Sequence, residues 1–430
     1  MDNKKRDGGP LTAPCGEGRG PRASSRLGLA GLVWLLCALF FSLWWGEGGN
    51  APHVAEQGGP VVSGLRPDAA GRQAASAEER EARPAWAALH ALVSQTLPRA
   101  LPFAHWQCED EASGAGGARR YRITGPCAPL RLAVALLEKL RPAASLDSAP
   151  LPGVGGNTAR PRLSWTDEGV LEMRLNGRLS HSFHFPGRER ELADLARPMP
   201  AAALILVMDD LGRRLEDAEA LAALPFPVAL AVWPLAPKSG ATAALAGQMA
   251  LDCLVHLPME PLPRADGSRP APGPGALLTN MSTRALAAVL EPALAAAPTA
   301  LGLNNHMGSA FTGSAAASRR LCAQLAGRGL AVLDSLTQPH SRLAEEARAA
   351  GLVSLSRTVF LDTRRKTSAI LAALDAAAAR ARSGGFAVAI GHPYPETFSA
   401  LRRWQDKTGV AVIPLRRLLW HLAQRQGDAG

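Results

Sequence analysis

The stretch ALILVMDDLG, residues 203–212, decides how this chain folds. It opens with six apolar residues and then reaches two adjacent carboxylates, Asp209 and Asp210. A short apolar run without polar alternation is typical of a strand that is buried on both faces, as in a parallel sheet. Ligands bind beyond the carboxyl ends of such strands, and two neighbouring carboxylates there need a cation or a shared proton. The alternative is the start of a helix, with a cap followed by a first-turn acid.

The sequence around this stretch, from about residue 201 to residue 422, alternates short apolar runs with Ala-rich helical segments. Repeated βα units predict an α/β fold with a parallel sheet and helices outside it. About seven or eight units fit a closed or nearly closed β/α barrel, and a doubly wound open sheet is the alternative. The predicted strands are 203–208, 227–232, 251–255, 299–303, 330–333, 352–360, 386–390 and 410–413. The predicted helices include 283–296, 314–328, 341–350, 367–382 and 396–407.

Polar side chains follow most of the predicted strands. They are Asp209, Asp210, His256, Asn305, His306, Asp334, Asp362 and His392. In a parallel barrel all these positions meet at one rim, so we expect them to lie close together. Carboxylate and imidazole ligands with one open position are typical of catalytic zinc, and a site without thiols also permits other divalent ions. The pattern therefore predicts a metal site, with a spare carboxylate as base and a further histidine as acid.

The spacing between His256 and Glu260 could indicate a helical metal site. Glu260 follows His256 by four residues, which would place both on one face of a helix. Pro258 and Pro261 argue against a helix there, so a helical metalloprotease motif is not predicted. The proline-rich segment 258–275 is instead expected to form a long rim loop that shapes a substrate groove.

The composition restricts the possible partners. Lys and Arg number 47 and Asp and Glu number 37, which gives a formal net charge of +10. The basic residues are mostly scattered arginines with no basic run interleaved with aromatics, so we expect no nucleic-acid partner. The six cysteines form no CxxC pair, which argues against a zinc ribbon or a thioredoxin-type site.

The N-terminal region resembles an export segment. Residues 1–26 form a basic tail, and residues 27–45 contain no charged residue. Nineteen such residues are just long enough to span a bilayer as a helix. The basic flank comes first, so we expect a single-pass anchor in the inner (cytoplasmic) membrane with the later domains in the periplasm. A cleaved signal peptide is the alternative, and residues 46–84 are predicted to be a flexible linker.

Residues 85–198 are predicted to form a small α+β domain, and residues 199–430 the β/α domain. The dipeptide Asn176-Gly177 separates two alternating segments, which indicates a β-hairpin. Cys108 and Cys127 flank the first strand region, where an oxidising compartment permits a disulfide and two separate thiols are the alternative. The sequence assigns no role to this domain, for which a partner- or glycan-binding module is the natural hypothesis.

Seven short motifs of the C-terminal half resemble the divergent polysaccharide deacetylase family, a branch of the NodB-like carbohydrate deacetylases. They recur in the family's order over about 220 residues. They are VMDDLG (207–212), AVWP (231–234), HLPMEP (256–261), NNHMGS (304–309), LDSLT (333–337), VFLD (359–362) and GHPYPET (391–397). The resemblance implies a distorted (β/α)7-8 barrel of NodB type and metal-dependent removal of N- or O-acetyl groups from a polysaccharide.

The resemblance also implies roles for individual residues. Asp209 would be the general base and His392 the acid. The metal, most simply zinc, would be bound by Asp210, His256 and His306. Glu260, Asn305 and Asp334 would line the groove or orient neighbouring groups.

The sequence departs from the wider superfamily at one place. The usual HxxxH metal pair is replaced by His256 with Glu260, so the second histidine ligand has to come from another strand. Two functions therefore stand side by side. The first is a metal-dependent carbohydrate deacetylase, a hydrolase acting on carbon–nitrogen bonds other than peptide bonds, with an envelope polysaccharide as its substrate. The alternative is a catalytically inactive glycan-binding or envelope scaffold protein with the same barrel. A phosphoesterase is weaker, because the chain shows neither an Arg/Lys phosphate clamp nor a Gly-rich phosphate loop.

Overall fold

The computed structural model describes residues 77–110, 118–141, 161–404 and 409–428. The predicted basic tail and membrane anchor lie outside the described residues. Within those ranges, no helix combines the length and the apolar content that a membrane span requires. The first described element is helix α1, Ala77–Ala100, which begins inside the predicted linker. Ala, Glu and Arg are strong helix formers, and this explains why the helix extends so far.

The N-terminal part is built on a five-stranded mixed sheet, and one helix connects the second strand to the third. Its strands follow the order β1-β2-β5-β4-β3, and only the β2–β5 pair is parallel. Asn176 and Gly177 both have positive φ and connect β4 to β5, as expected for a hairpin turn. Cys108 and Cys127 are not joined by a disulfide in this structure. The elements are β1 (His105–Asp110), β2 (Arg119–Thr124), α2 (Pro129–Leu140), β3 (Arg162–Trp165), β4 (Leu171–Leu175), β5 (Arg178–His184) and α3 (Glu189–Ala193).

The C-terminal part is a parallel sheet with helices between its strands, which confirms the predicted βα alternation. Its strands are β6 (Ala203–Leu211), β7 (Ala229–Val232), β8 (Cys253–Met259), β9 (Gly302–Met307), β10 (Ala331–Asp334), β11 (Ser354–Ser356), β12 (Val359–Phe360), β13 (Phe386–Gly391) and β14 (Ala411–Val412). Its helices are α4 (Leu215–Ala222), α5 (Ser239–Gln248), α6 (Thr283–Ala296), α7 (Ser309–Gly313), α8 (Ala315–Leu325), α9 (Leu343–Ala349), α10 (Thr367–Gly384), α11 (Pro395–Arg403) and α12 (Leu415–Asp428).

The order of these strands shows that the sheet curls. Strand β6 pairs with both β7 and β13, and the path runs β11-β10-β9-β8-β7-β6-β13-β12. Its two ends, β11 and β12, are consecutive in the chain. The residues between them hydrogen-bond to both ends of this path. Arg357 N donates to Asp334 O of β10 at 2.9 Å, and Thr358 N donates to Val388 O of β13 at 2.7 Å. A doubly wound sheet would reverse its order in the middle, so the observed order favours the curled form.

Both faces of strand β6 are buried, as a parallel strand requires. Its odd-numbered residues, including Ile205 and Val207, pack in one cluster with residues of the N-terminal part and of α12. Its even-numbered residues, including Leu204 and Leu206, pack against the surrounding helices. The helix-start alternative for this stretch is therefore wrong, since α4 begins only at Leu215. The N-terminal part and the curled sheet share one hydrophobic core.

Candidate metal centre

The centre begins with an irregularity at the carboxyl end of β6. In a regular strand, adjacent side chains point to opposite faces, so Asp209 and Asp210 would be separated. Asp210 instead has a left-handed φ of 59°. The β6–β7 register also shifts between Met208 and Leu211. A local bulge of this kind redirects a side chain, and here it turns Asp210 toward two histidines.

Three side chains, from strands β6, β8 and β9, meet at one point. Asp210 Oδ1 lies 3.2 Å from His256 Nε2 and 2.9 Å from His306 Nδ1. The two histidine nitrogens lie 3.1 Å apart. These three residues form the group of possible ligands found among the described residues, with ligand atoms within 4.8 Å of one another. The structure thus brings together the three predicted metal ligands, although each pair of them is 46 or more positions apart in the sequence.

Asn304 determines which nitrogen of His256 faces this point. Asn304 Nδ2 donates to Asp209 Oδ1 at 2.7 Å, so the other amide atom, Oδ1, faces His256 Nδ1 at 2.9 Å. A carbonyl oxygen only accepts, so His256 Nδ1 carries the proton and donates it. In the neutral imidazole the lone pair is then on Nε2, which points toward Asp210 and His306. A second residue that fixes the tautomer of a histidine is the usual accompaniment of a metal ligand.

The residues at this point fit a divalent cation. Asp210 Oδ1 is buried and has no well-aligned hydrogen-bond donor. A buried carboxylate oxygen without a donor is costly unless a cation or another charge compensates it. Zinc–nitrogen and zinc–oxygen bonds of about 2.0–2.1 Å in a tetrahedral site imply ligand atoms about 3.3 Å apart. The observed separations of 2.9–3.2 Å are close to this value.

Electrostatics separate the two aspartates. Burial raises the pKa of Asp209. Burial acts in the same direction on Asp210, but the close approach of His256 and His306 outweighs it and holds the pKa of Asp210 well below the usual range. Burial disfavours the charged form of His256, yet Asp209 and Asp210 together raise its pKa to about 9. A bound cation competes with that proton, as in other histidine metal sites.

His392 follows strand β13 and lies near enough to both aspartates to be affected by their charges. Its Nδ1 lies 3.0 Å from Asp362 Oδ1, and its backbone N–H donates to Asp362 Oδ2. Thr397 Oγ1 donates to the same Oδ2 at 3.0 Å. Burial lowers the pKa of His392, but the hydrogen bond and charge of Asp362, with smaller contributions from Asp209 and Asp210, raise it overall. His392 therefore holds a proton on its far nitrogen more tightly than an isolated imidazole does.

The three residues predicted to line the groove or orient neighbours hold the loops around the centre. Glu260 Oε2 accepts hydrogen bonds from Thr279 N and Thr279 Oγ1, both at 2.7 Å, which closes the proline-rich rim loop. Asn305 Oδ1 accepts from Ser335 N at 2.8 Å and connects two strand ends. Asp334 accepts from Leu336 N and from Ser341 Oγ. None of the three belongs to the ligand group.

Sequence reasoning gave no role to several residues that shape the centre. Asn304 lies two residues before His306 and therefore shares its strand face. Strand alternation is the signal that could have identified Asn304. The sequence pattern marks Asp362 only as the end of a strand. Trp233 belongs to the AVWP motif, and its ring centroid lies 4.6 Å from that of His306. Arg357 donates to the carbonyls of residues 335 and 336, and no sequence pattern marked it.

The structure therefore defines an α/β protein with a curled parallel sheet and a carboxylate–imidazole group at the carboxyl ends of its strands. The profile of the divergent polysaccharide deacetylase family matches residues 206–419. The chain is 31% identical over 224 residues to the uncharacterized protein YibQ of Escherichia coli, covering 51% of this chain and 69% of YibQ. It is 34% identical over 199 residues to an uncharacterized protein of Haemophilus influenzae, covering 46% of this chain and 69% of that protein.

A solved structure adds a comparison of folds. The crystal structure of an uncharacterized protein from Agrobacterium tumefaciens matches with a TM-score of 0.48 and 22% identity, covering 53% of this chain and 94% of that chain. The sequence matches carry the assignment. This chain belongs to the divergent polysaccharide deacetylase family.

Proposed function

We propose that this protein is a metal-dependent deacetylase that hydrolyses N- or O-acetyl groups of an envelope polysaccharide, on a distorted barrel of NodB type. The observation that carries this proposal is the convergence of Asp210, His256 and His306, with Asp209 and His392 beside them. A structural role for the histidines would not require three lone-pair atoms to face one another.

The metal would be held by Asp210, His256 and His306, and zinc is the ion that their chemistry fits best. When bound, such an ion polarises an acyl carbonyl and makes water more acidic. Asp209 is the base in this proposal. It is buried, it accepts a hydrogen bond from Asn304, and its raised pKa favours taking a proton from water.

His392 is the acid in this proposal. Asp362 fixes its ring through Nδ1, so the proton on Nε2 is the one available for transfer. His392 therefore protonates the leaving amine or alcohol of the sugar. Asp209 and His392 thus have opposite roles. The pKa of a base and that of an acid have to be matched to their tasks.

The test combines metal analysis with acetate release. The purified full-length protein is expected to contain about one divalent ion per chain, and Asp210→Ala to lose it. Acetate release from acetylated glycans is expected to disappear in Asp209→Asn, while its metal content stays close to that of the wild type. Metal content that Asp210→Ala leaves unchanged, or an absence of acetate release with every acetylated glycan tested, would favour the inactive scaffold protein.

The location of the protein is part of the same proposal. Residues 27–45 would anchor it in the inner membrane, and the two folded parts would face the periplasm, where envelope polysaccharides are accessible. Cell fractionation together with protease protection of a C-terminal tag tests this placement. A tag that stays protected in spheroplasts would contradict it.

A further inference from the structure

Two arginines lie beside the centre in a similar way. The guanidinium carbon of Arg213 lies 4.9 Å from the ring centroid of Trp233, and that ring contacts His306. The guanidinium carbon of Arg365 lies 3.8 Å from the ring centroid of Tyr394. The ring of Tyr394 lies 5.6 Å from that of His392. Each arginine is therefore one aromatic ring away from a histidine of the centre.

The sheet order explains why these two arginines lie at the same edge of the sheet, on either side of β13. Arg213 follows the carboxyl end of β6, and Arg365 follows the end of β12. Strand β13, which leads into His392, pairs with both. Arg364 and Lys366 are exposed next to Arg365, so the rim beside β13 carries additional positive charge.

Among the residues that the structure describes, neither Arg213 nor Arg365 forms an ion pair. Some other exposed arginines of the same part are paired, as Arg342 is with Glu345 at 2.8 Å and Arg319 with Glu346 at 2.9 Å. A guanidinium that stacks on an aromatic ring is held in place and can present donors at its edge to an anion. One Nη of Arg365 donates to Tyr394 Oη at 2.7 Å, which holds it further and leaves its other N–H groups for an anion.

We propose that Arg213 and Arg365 form an anion-binding rim, and that the glycan bound at the centre carries a carboxylate or a phosphodiester on a sugar near the acetylated one. The substrate class rests on the proposed deacetylase function, whereas the binding of an anionic glycan does not. A neutral glycan would leave two fixed cations at the opening without a counter-charge. An anionic glycan places its charges there, where attraction also accelerates encounter.

The experiment measures binding of three acetylated glycans to the purified full-length protein. Heparosan supplies a carboxylate next to N-acetylglucosamine, a phosphodiester-linked N-acetylmannosamine polymer supplies phosphate, and N-acetylated chitotetraose is neutral. We expect at least one anionic glycan to bind about tenfold more tightly than chitotetraose, with an affinity that falls as salt is raised. Binding is measured in the Asp209→Asn background as well, so that it does not depend on turnover.

Two double variants are compared, and each removes two positive charges from a different part of the protein. Arg213→Gln combined with Arg365→Gln is expected to weaken binding of the anionic glycan about tenfold and to reduce its salt dependence, with little effect on chitotetraose. The matched control is Arg380→Gln combined with Arg382→Gln, two exposed residues at the end of α10 that precedes β13, at the opposite edge of the sheet. This control is expected to bind like the wild type.

If only one anionic glycan binds more weakly to the Arg213 and Arg365 double variant, that glycan identifies the negative group, carboxylate or phosphodiester. If both bind more weakly, the result supports recognition of anions in general. Equal affinity for neutral and anionic glycans, or equal losses in the two double variants, would overturn the anion-binding rim. Binding that depends on Arg213 and Arg365 without acetate release from any glycan would leave the rim in place and remove the deacetylase function. The two failures are therefore distinguishable.

Discussion

At the scale of single residues, the position of Asn304 has the largest consequence for the centre. Its amide joins the proposed base Asp209 to the proposed ligand His256. It is buried, so its hydrogen bonds cannot be replaced easily by water. The same side chain thus orients the base and selects the nitrogen of His256 that faces the ligand point.

Replacing Asn304 with leucine keeps the number and branching of the heavy side-chain atoms and removes all hydrogen bonds of the side chain. We expect Asn304→Leu to weaken metal affinity about 10- to 100-fold, because His256 is no longer held in one tautomer. A competition titration with a metal chelator measures this change.

The adjacent residue provides the comparison. The side chain of Asn305 connects Ser335 N and Met307 O, and its hydrogen bonds go to no ligand-group side chain among the described residues. Asn305→Ala is expected to lower the melting temperature while changing metal affinity much less than Asn304→Leu does. Equal effects of the two substitutions on metal affinity would show that Asn304 acts only through general stability.

Asp362 is the second residue with a testable consequence. Its charge and hydrogen bond raise the pKa of His392 against the effect of burial. In Asp362→Asn the pKa of His392 falls, so the imidazole loses its proton at lower pH. An acid has to be protonated, and we therefore expect the alkaline limb of the pH–rate profile to move to lower pH and kcat to fall about 100-fold or more.

The pH profile of acetate release for the wild type and the variant is the measurement. A drop in kcat with an unmoved alkaline limb would mean that Asp362 supports the fold and not the protonation of His392. Thermal unfolding of both proteins at one pH separates these cases, because Thr397 also donates to Asp362.

At the scale of elements, strand β9 depends on a close approach between two backbones. A Cβ at Gly302 would lie 2.1 Å from the carbonyl oxygen of Ala331 on the neighbouring strand. Neither backbone is free to move within a paired sheet. We expect Gly302→Ala to lower the free energy of unfolding by about 3 kcal/mol, as overpacking of a core does. Because β9 carries Asn304 and His306, metal affinity is expected to fall as well.

A glycine outside the sheet serves as the control. Gly240 lies in helix α5, and a Cβ there would meet no atom within 4 Å. Gly240→Ala is expected to be neutral or to stabilise by up to about 1 kcal/mol, because alanine loses less backbone entropy than glycine. Urea unfolding of both variants tests the pair. A similar free energy of unfolding for Gly302→Ala and the wild type would contradict the close approach between β9 and β10.

The elements also show what the sequence was able to predict. Short apolar runs predicted the parallel strands to within a few residues, because a strand buried on both faces leaves a clear pattern. The strand ends then predicted that Asp210, His256 and His306 lie close together. The bulge that turns Asp210 was not predictable, because it depends on local backbone geometry and leaves no pattern of apolar residues. The contact of Asn304 with Asp209 joins residues 95 positions apart, and a single sequence does not show such pairs.

At the scale of the whole molecule, the N-terminal part and the curled sheet are joined by buried charges as well as by a shared core. Arg416 of α12 donates to Glu191 of α3, and its guanidinium lies 3.3 Å from Asp252, which precedes β8. On another side, Glu138 of α2 accepts a hydrogen bond from Gly327 N of the C-terminal part at 3.1 Å. These contacts hold the helices of the N-terminal part against the sheet that carries the centre.

The contact of Glu138 makes the stability of the molecule depend on pH. Burial raises the pKa of Glu138 to about 7. The folded state therefore binds a proton that the unfolded state has already released, in the range between a pKa of about 4.5 and one of about 7. Stability from this group is fully present below the lower value and is lost as pH rises through the upper one. The loss amounts to about 2 to 3 kcal/mol at pH 8.

Glu138→Gln keeps the hydrogen-bond acceptor for Gly327 and cannot be deprotonated. We expect this variant to match the wild type near pH 5 and to unfold at a higher temperature at pH 8, where the wild type has to bury a charge. Thermal unfolding of the full-length protein at several pH values between 5 and 8 measures the difference in slope. Glu345→Gln, at an exposed residue of α9, is the control and is expected to follow the wild type. Parallel curves for Glu138→Gln and the wild type would mean that Glu138 is ionised in both states, and that the contact between α2 and the C-terminal part does not confine its charge.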